Sequence, residues 1–64
     1  MLIQEVAPGI FAATGLIGAN VGLVTTGAGA VLVDAPWIPA QAREWRAEVE
    51  RLSTRGVAYL VNTD

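Results

Sequence analysis

The sequence of 64 residues contains no cysteine, no histidine and no lysine. Without cysteine, no disulfide can stabilise a chain of this size, and without cysteine or histidine only carboxylates remain as metal-binding side chains. Four arginines and a net charge of −2 provide no positive surface for the phosphates of nucleic acid. The composition therefore excludes a disulfide-stabilised scaffold and argues against both a zinc-stabilised mini-domain and nucleic-acid binding.

Charged residues are also missing from residues 6–33, a stretch long enough to suggest a transmembrane helix. The stretch contains Pro8 and six glycines, however, and these residues separate short strands more readily than they build one helix. The first five residues lack the positive charge and the continuous apolar core of a signal peptide. We therefore predict no membrane association and a cytoplasmic location.

Apolar residues make up 53% of the chain, and the mean hydropathy is +0.48. A domain of this size buries only about 60% of the surface that its unfolded chain exposes. Its interior is too small to hold so many apolar side chains. We expect a partner, a second copy or further sequence to cover the remainder, so self-association through an exposed apolar surface is one prediction.

The first half of the sequence predicts two β-hairpins. Residues 3–7 and 10–14 flank a Pro-Gly dipeptide that suits a type II turn, and residues 20–25 and 30–34 flank a Thr-Gly-Ala-Gly segment. The strand sequences are apolar almost throughout, without clean alternation. We therefore expect at least the later strands to be covered on both faces.

The second half has a helical period, followed by one more strand at residues 57–61. Apolar residues recur at intervals of three and four, which predicts an amphipathic helix over residues 39–55. Pro39 suits its first position, and Gly56 suits a left-handed position just past its end. The apolar stripe consists of Ala42, Trp45, Val49 and Leu52, and the charged face, predicted to be solvated, consists of Arg43, Glu44, Arg46, Glu50 and Arg51.

The order strand, helix, strand has a functional consequence. If the two strands belong to one sheet they are expected to run parallel, so Asp34 and residues 62–64 emerge at the same carboxyl edge. Ligands of open α/β sheets bind at this edge. The sequence does not determine whether the two strands are neighbours.

The position of Asp34 in the sequence is compatible with two roles. It can accept backbone hydrogen bonds in the turn before Pro36, or it can orient something bound at the sheet edge. Asp34 and Asp64 could act as a general acid and base, but a carboxylate pair without histidine, cysteine or lysine is poorly equipped for catalysis. We predict no catalytic residue within the chain. We expect Trp37 to lie in the core and not at the rim of a pocket.

Four segments and the helix occur in the order found in a known family. The segments are EVAPGIF at residues 5–11, NVGLV at residues 20–24, GAVLVD at residues 29–34 and YLVNT at residues 59–63, with the amphipathic helix between the last two. This pattern resembles the amino-terminal part of the metallo-β-lactamase-fold hydrolases, and the resemblance covers essentially the whole chain.

The resemblance implies an α/β (α+β) fold that forms part of an αββα sandwich, with antiparallel hairpins followed by a strand-helix-strand crossover. It implies that Asp34, Asn62 and Thr63 support a metal site. The family's His-x-His-x-Asp-His motif begins where this chain has Asp64, so Asp64 stands at the place of the first histidine, as a variant ligand or just before a motif that starts one residue later. The remaining ligands would lie beyond residue 64.

In the family, zinc, or iron in some branches, activates water for attack on a small-molecule substrate. The glycine-bounded loop with Leu16 and Ile17 resembles the hairpin that overhangs the substrate cleft, and with Trp37 these residues are candidates for substrate contact. The prediction is a truncated N-terminal portion of such a hydrolase, a partial domain over residues 1–64, that binds no cofactor and has no activity alone. The alternative is a complete small non-enzymatic module that binds a partner or assembles with itself.

Overall fold

A computed structural model of the chain describes residues 1–63. It shows an α+β protein with one five-stranded mixed sheet and one helix, and the strands lie in the sheet in the order of the sequence. The first four strands are antiparallel neighbours, whereas the fourth and fifth are parallel. The elements are β1 (Leu2–Ala7), β2 (Ile10–Thr14), β3 (Val21–Thr26), β4 (Gly29–Val33), α1 (Pro39–Leu52) and β5 (Val57–Val61).

Both predicted hairpins are present. β1 pairs with β2 and β3 pairs with β4, although the structure starts β1 and β4 one residue earlier than predicted and shifts β3 by one residue. Gly9 has a φ of +75°, as its turn requires. The carbonyl oxygen of Gly9 accepts two hydrogen bonds from Thr25, from the backbone N–H at 2.8 Å and from the hydroxyl at 3.1 Å. The first turn is thereby attached to the neighbouring strand.

The crossover through α1 places β5 directly beside β4, which the sequence left undecided. The two strands run parallel, with Leu32 opposite Leu60 and Val33 opposite Val61. At the carboxyl end of the pair, the N–H of Asp34 donates to the carbonyl oxygen of Val61 at 2.8 Å. This bond extends the pairing to the point where both strands end.

The core lies between the sheet and the helix. Trp45 and Val49 of α1 are each 3% exposed and pack with Leu23 and Ala30, which are fully buried. The predicted apolar stripe of the helix is confirmed for Trp45, Val49 and Leu52, because Leu52 also packs against this cluster. The five residues of the charged face are all exposed. Within residues 1–63, the indole N–H of Trp45 is buried without an acceptor.

The helix is shorter than predicted, since it ends at Leu52 and not at residue 55. Ser53 has extended backbone angles, and its hydroxyl donates to the carbonyl oxygen of Gly56 at 3.0 Å. A serine side chain that bonds to nearby backbone offers the chain an alternative to another helical turn. Gly56 is left-handed, with a φ of +71°, but it lies in the turn that enters β5 and not directly after the helix.

The prediction that the later strands are covered on both faces is wrong, because α1 covers only one face of the sheet. All five residues of β5 are exposed. We call the uncovered side the open face. The strand registers place two rows of residues on it, and none of them is buried: Gln4, Ala12, Gly22, Val33 and Val61 in one row, and Ile10, Val24, Val31 and Tyr59 in the other.

Among the residues that the structure describes, no helix is both long and apolar enough to cross a membrane. The charge-free stretch that first suggested such a helix forms the end of β1 and the whole of β2, β3 and β4.

Candidate functional site

Asp34 and Thr63 meet at the carboxyl edge of the β4–β5 pair. Oδ1 of Asp34 accepts a hydrogen bond from the backbone N–H of Thr63 at 2.8 Å, and Oδ2 accepts one from the Thr63 hydroxyl at 2.7 Å. The parallel pairing carries both strands to the same edge, and the carboxylate joins the segments that follow them. The convergence predicted from the order strand, helix, strand is therefore present for these two residues.

The backbone of Asp34 is unusual. It is the one described non-glycine residue with a positive φ, at 60°. Aspartate tolerates this left-handed conformation better than most residues, although β-carbon crowding still makes it unfavourable. The conformation turns the chain at the end of β4 while the side chain remains bonded to Thr63. Such outliers persist where surrounding contacts hold them, and they are concentrated at functional sites.

The contacts with Thr63 also set the ionisation of Asp34. The backbone N–H of Thr63, and then its hydroxyl, stabilise the charged carboxylate and lower the pKa of Asp34 below the ordinary value of 3.8. Partial desolvation opposes this effect and is the smaller influence. Asp34 is therefore an acceptor at neutral pH and is unsuited to donate a proton as a general acid.

A cavity of about 480 Å³ opens beside Asp34, and we call it the rim pocket. Its lining is more polar than apolar, and Asp34 is the charged residue among those that form it. The lining consists of Gly18, Ala19, Asp34, Ala35, Trp37, Asn62 and Thr63. Three of the residues singled out from the sequence, Asp34, Asn62 and Thr63, thus line one pocket.

Trp37 also lines the rim pocket, and the expectation that it belongs to the core is wrong. Its side chain is 70% exposed, whereas the neighbouring Pro36 is buried. The segment after Asp34 leaves the sheet edge before the helix begins, and within it Pro36 is buried while Trp37 borders the pocket. The core contains the other tryptophan, Trp45 of the helix stripe.

Gly18 explains how the indole of Trp37 lies close to the loop between β2 and β3. A β-carbon at Gly18 would collide with Nε1 of Trp37, and the φ of Gly18 is +87°. Both observations favour glycine at this position, because any larger residue would be strained and would displace the indole. Gly18 is one of the two glycines that bound the apolar loop, and its role as a pocket residue was not predicted from the sequence. The signal was a glycine at the end of an apolar loop tip.

The two apolar residues of that loop have different environments. Leu16 is half-buried against the core, and Ile17 is 61% exposed. The N–H of Ile17 donates to Oε1 of Gln41 at 3.2 Å, which attaches the loop to the first turn of α1. Neither Leu16 nor Ile17 lines the rim pocket. Their contact with a substrate stays a prediction.

A second cavity, also of about 480 Å³, lies between α1 and β5 and has a mainly apolar lining. Its apolar lining residues are Leu32 of β4, Trp45 and Val49 of α1, and Val57 of β5. Arg46 and Glu50, which form an exposed ion pair at 3.3 Å, also line it. No residue predicted to carry chemistry lies in this cavity.

Residues 1–63 contain no group of three or more histidine, cysteine, aspartate or glutamate side chains that could hold a metal ion. Asp64, which stands at the place of the first motif histidine, lies outside the described residues. Both oxygens of Asp34 are engaged by Thr63, so this carboxylate is placed to hold a neighbouring segment. No known protein family and no curated protein matches the sequence of this chain.

Proposed function

We propose that this chain is the amino-terminal portion of a metal-dependent hydrolase with the metallo-β-lactamase fold, in which zinc, or iron in some branches, acts on a small-molecule substrate. The observation that carries the proposal is the bond pair between Asp34 and Thr63 at the carboxyl edge of two adjacent parallel strands. This is where the resemblance would place the support of a metal site.

The chemistry of Asp34 suits such a supporting role. Its carboxylate fixes the residue that follows Asn62, so it orients the segment from which the metal ligands would continue. Groups that hold ligand-bearing segments in this way affect metal affinity without touching the ion. Because the pKa of Asp34 is lowered, the carboxylate keeps this charge-assisted bond at neutral and mildly acidic pH.

The open face gives the proposal independent support. An αββα sandwich consists of two sheets packed face to face, with helices on the outer sides. This chain has a helix on one side of its sheet and an exposed, largely apolar surface on the other. That is the arrangement expected of one half of such a sandwich.

The described residues do not fit a metal ion by themselves, because they bring no three ligand-type side chains together. The proposal therefore assigns the ligands to residues from 64 onward, with Asp64 as the first candidate. When bound, the metal would supply an activated water. The residues of this chain would position the ligand-bearing segment through Asp34 and Thr63, and Trp37 and the loop with Leu16 and Ile17 would border the substrate.

The first test is to read the codons that follow Asp64 in the native gene. We expect a continuation that is rich in histidine and contains an Asp-His pair. A stop codon, or a continuation without metal ligands, would refute the proposal.

The second test uses the longer protein encoded by that gene. Asp34→Ala is expected to lower its zinc affinity by about 10- to 100-fold, because the segment held by Thr63 loses its anchor. Glu44→Ala, which removes an exposed carboxylate of the helix, is the control and should leave the affinity unchanged. Equal affinities for Asp34→Ala and Glu44→Ala in calorimetric titrations would contradict the role assigned to Asp34.

A further inference from the structure

We infer that the isolated chain covers its open face with a second copy of itself, so that two sheets pack face to face with the helices on the outside. The inference does not rest on the proposed hydrolase function, because it uses only the surface of the described residues. In a longer protein the same face would be available to further sequence of that protein.

The two sides of the sheet differ in how far their apolar side chains are exposed to water. On the helix side of β2, β3 and β4, the residues Ala13, Val21, Leu23 and Ala30 are between 0 and 3% exposed. On the open face, Ile10, Val61 and Tyr59 are 40, 47 and 70% exposed. Apolar side chains of this size favour removal from water, and α1 is already committed to the other side.

The two rows of the open face also lack charge. The two rows of the open face contain no acidic or basic residue, and Gln4 is their one strongly polar side chain. A copy of the same face can therefore approach without like-charge repulsion and without burying an unpaired charge. The helix side of the molecule differs, since five exposed charged residues cover the outer surface of α1. This difference selects the sheet face and not the helix as the contact.

The area of the open face determines how strong a contact between two copies can be. Five strands about 4.8 Å apart and about five residues long give a face of about 400 Å², so two copies would bury about 800 Å² of flat surface. Specific interfaces bury about 1,200–2,000 Å², and smaller ones are weak. An interface of this size supports a weak, reversible dimer and not a permanent one. Two sheets packed in this way lie about 10 Å apart.

Sedimentation velocity of the unmodified chain over a wide concentration range tests the inference. We expect a reversible monomer–dimer equilibrium with no larger species. A monomer at all concentrations would overturn the inference, and so would polydisperse aggregates.

A pair of variants tests which face is used. Val61 lies on the open face and Leu60 lies on the helix side of the same exposed strand, at 47 and 59% exposure. Val61→Lys should weaken dimerisation at least tenfold because the lysine would enter the contact, whereas Leu60→Lys should leave it within a factor of about two. Circular dichroism checks that both variants keep the fold.

The opposite result, with Leu60→Lys disruptive and Val61→Lys neutral, would overturn the inference because it would place the contact at the edge of β5 and the helix groove. If Val61→Lys does not fold, Tyr59→Lys replaces it, since Tyr59 is the most exposed residue of the open face. The hydrolase proposal is tested by the gene sequence and by metal affinity, so either idea can fail without the other.

Discussion

Leu23 occupies the centre of β3 beneath the helix, and its replacement by alanine should be the most informative single change in the core. Leu23 is the largest fully buried side chain among the described residues. The row across the sheet pairs it with Leu32 and then with Leu60, which is 59% exposed. Leu60→Ala is therefore a matched control, since it removes the same atoms from the same side of the sheet.

The expected magnitudes follow from burial. Leu→Ala removes apolar groups worth about 0.8 kcal/mol per buried methylene, and at a fully buried position the remaining cavity raises the loss to about 3 kcal/mol. At Leu60, most of the side chain already contacts water, so the loss should be about 1 kcal/mol. A domain of this length has a free energy of unfolding of about 3–10 kcal/mol. Leu23→Ala thus removes a large part of the total stability.

Urea unfolding followed by tryptophan fluorescence measures these losses. Trp45 is 3% exposed and reports on the core, whereas Trp37 is 70% exposed, so both variants are best made in a Trp37→Phe background. With a slope of about 1 kcal/mol per molar urea, the midpoint should fall by about 3 M for Leu23→Ala and by about 1 M for Leu60→Ala. Equal shifts, or a larger shift for Leu60→Ala, would refute the assignment of the core to the helix side of the sheet.

Two further predictions concern the rim pocket. Because the pKa of Asp34 is lowered in the folded state, its contribution to stability is complete above the ordinary pKa of 3.8 and is lost as the pH falls through the lowered value. Urea midpoints measured at descending pH should therefore fall more steeply for the unmodified chain than for Asp34→Asn, and identical slopes would contradict the bonds to Thr63. Gly18→Ala should displace the indole of Trp37 and change its emission and its quenching by acrylamide, whereas Ala19→Ser, at the adjacent lining position, should not. An unchanged Trp37 signal in Gly18→Ala would contradict the close approach.

The elements of this fold could largely be predicted because local patterns specify them. Pro8-Gly9 terminates one strand and begins the next, and the spacing of Trp45, Val49 and Leu52 matches one face of a helix. The end of the helix was predicted too late because Gly56 was assigned the left-handed position just past it, although the apolar period of the sequence stops at Leu52. The hydroxyl of Ser53, which bonds to Gly56, ends it earlier.

The candidate site was predictable in part. Parallel strands end at the same edge, so the sequence order placed Asp34 near residues 62–64. The sequence could not show that Thr63 engages both carboxylate oxygens, since this depends on β4 and β5 being neighbours. It also could not show that Trp37 is exposed, because tryptophan is more often a core residue and the occupants of the core are known only from the tertiary structure.

The sequence by itself determined the types of the elements, the two turns, the helix stripe and the excess of apolar residues over the available interior. These depend on periodicity and on residue chemistry, which are local. Only the tertiary structure decided which strands are neighbours, which side of the sheet α1 covers, and therefore which apolar residues remain exposed. The sequence of an apolar strand does not show which of its two faces is covered. Only the position of the helix makes Leu23 a core residue and leaves Val61 on the open face.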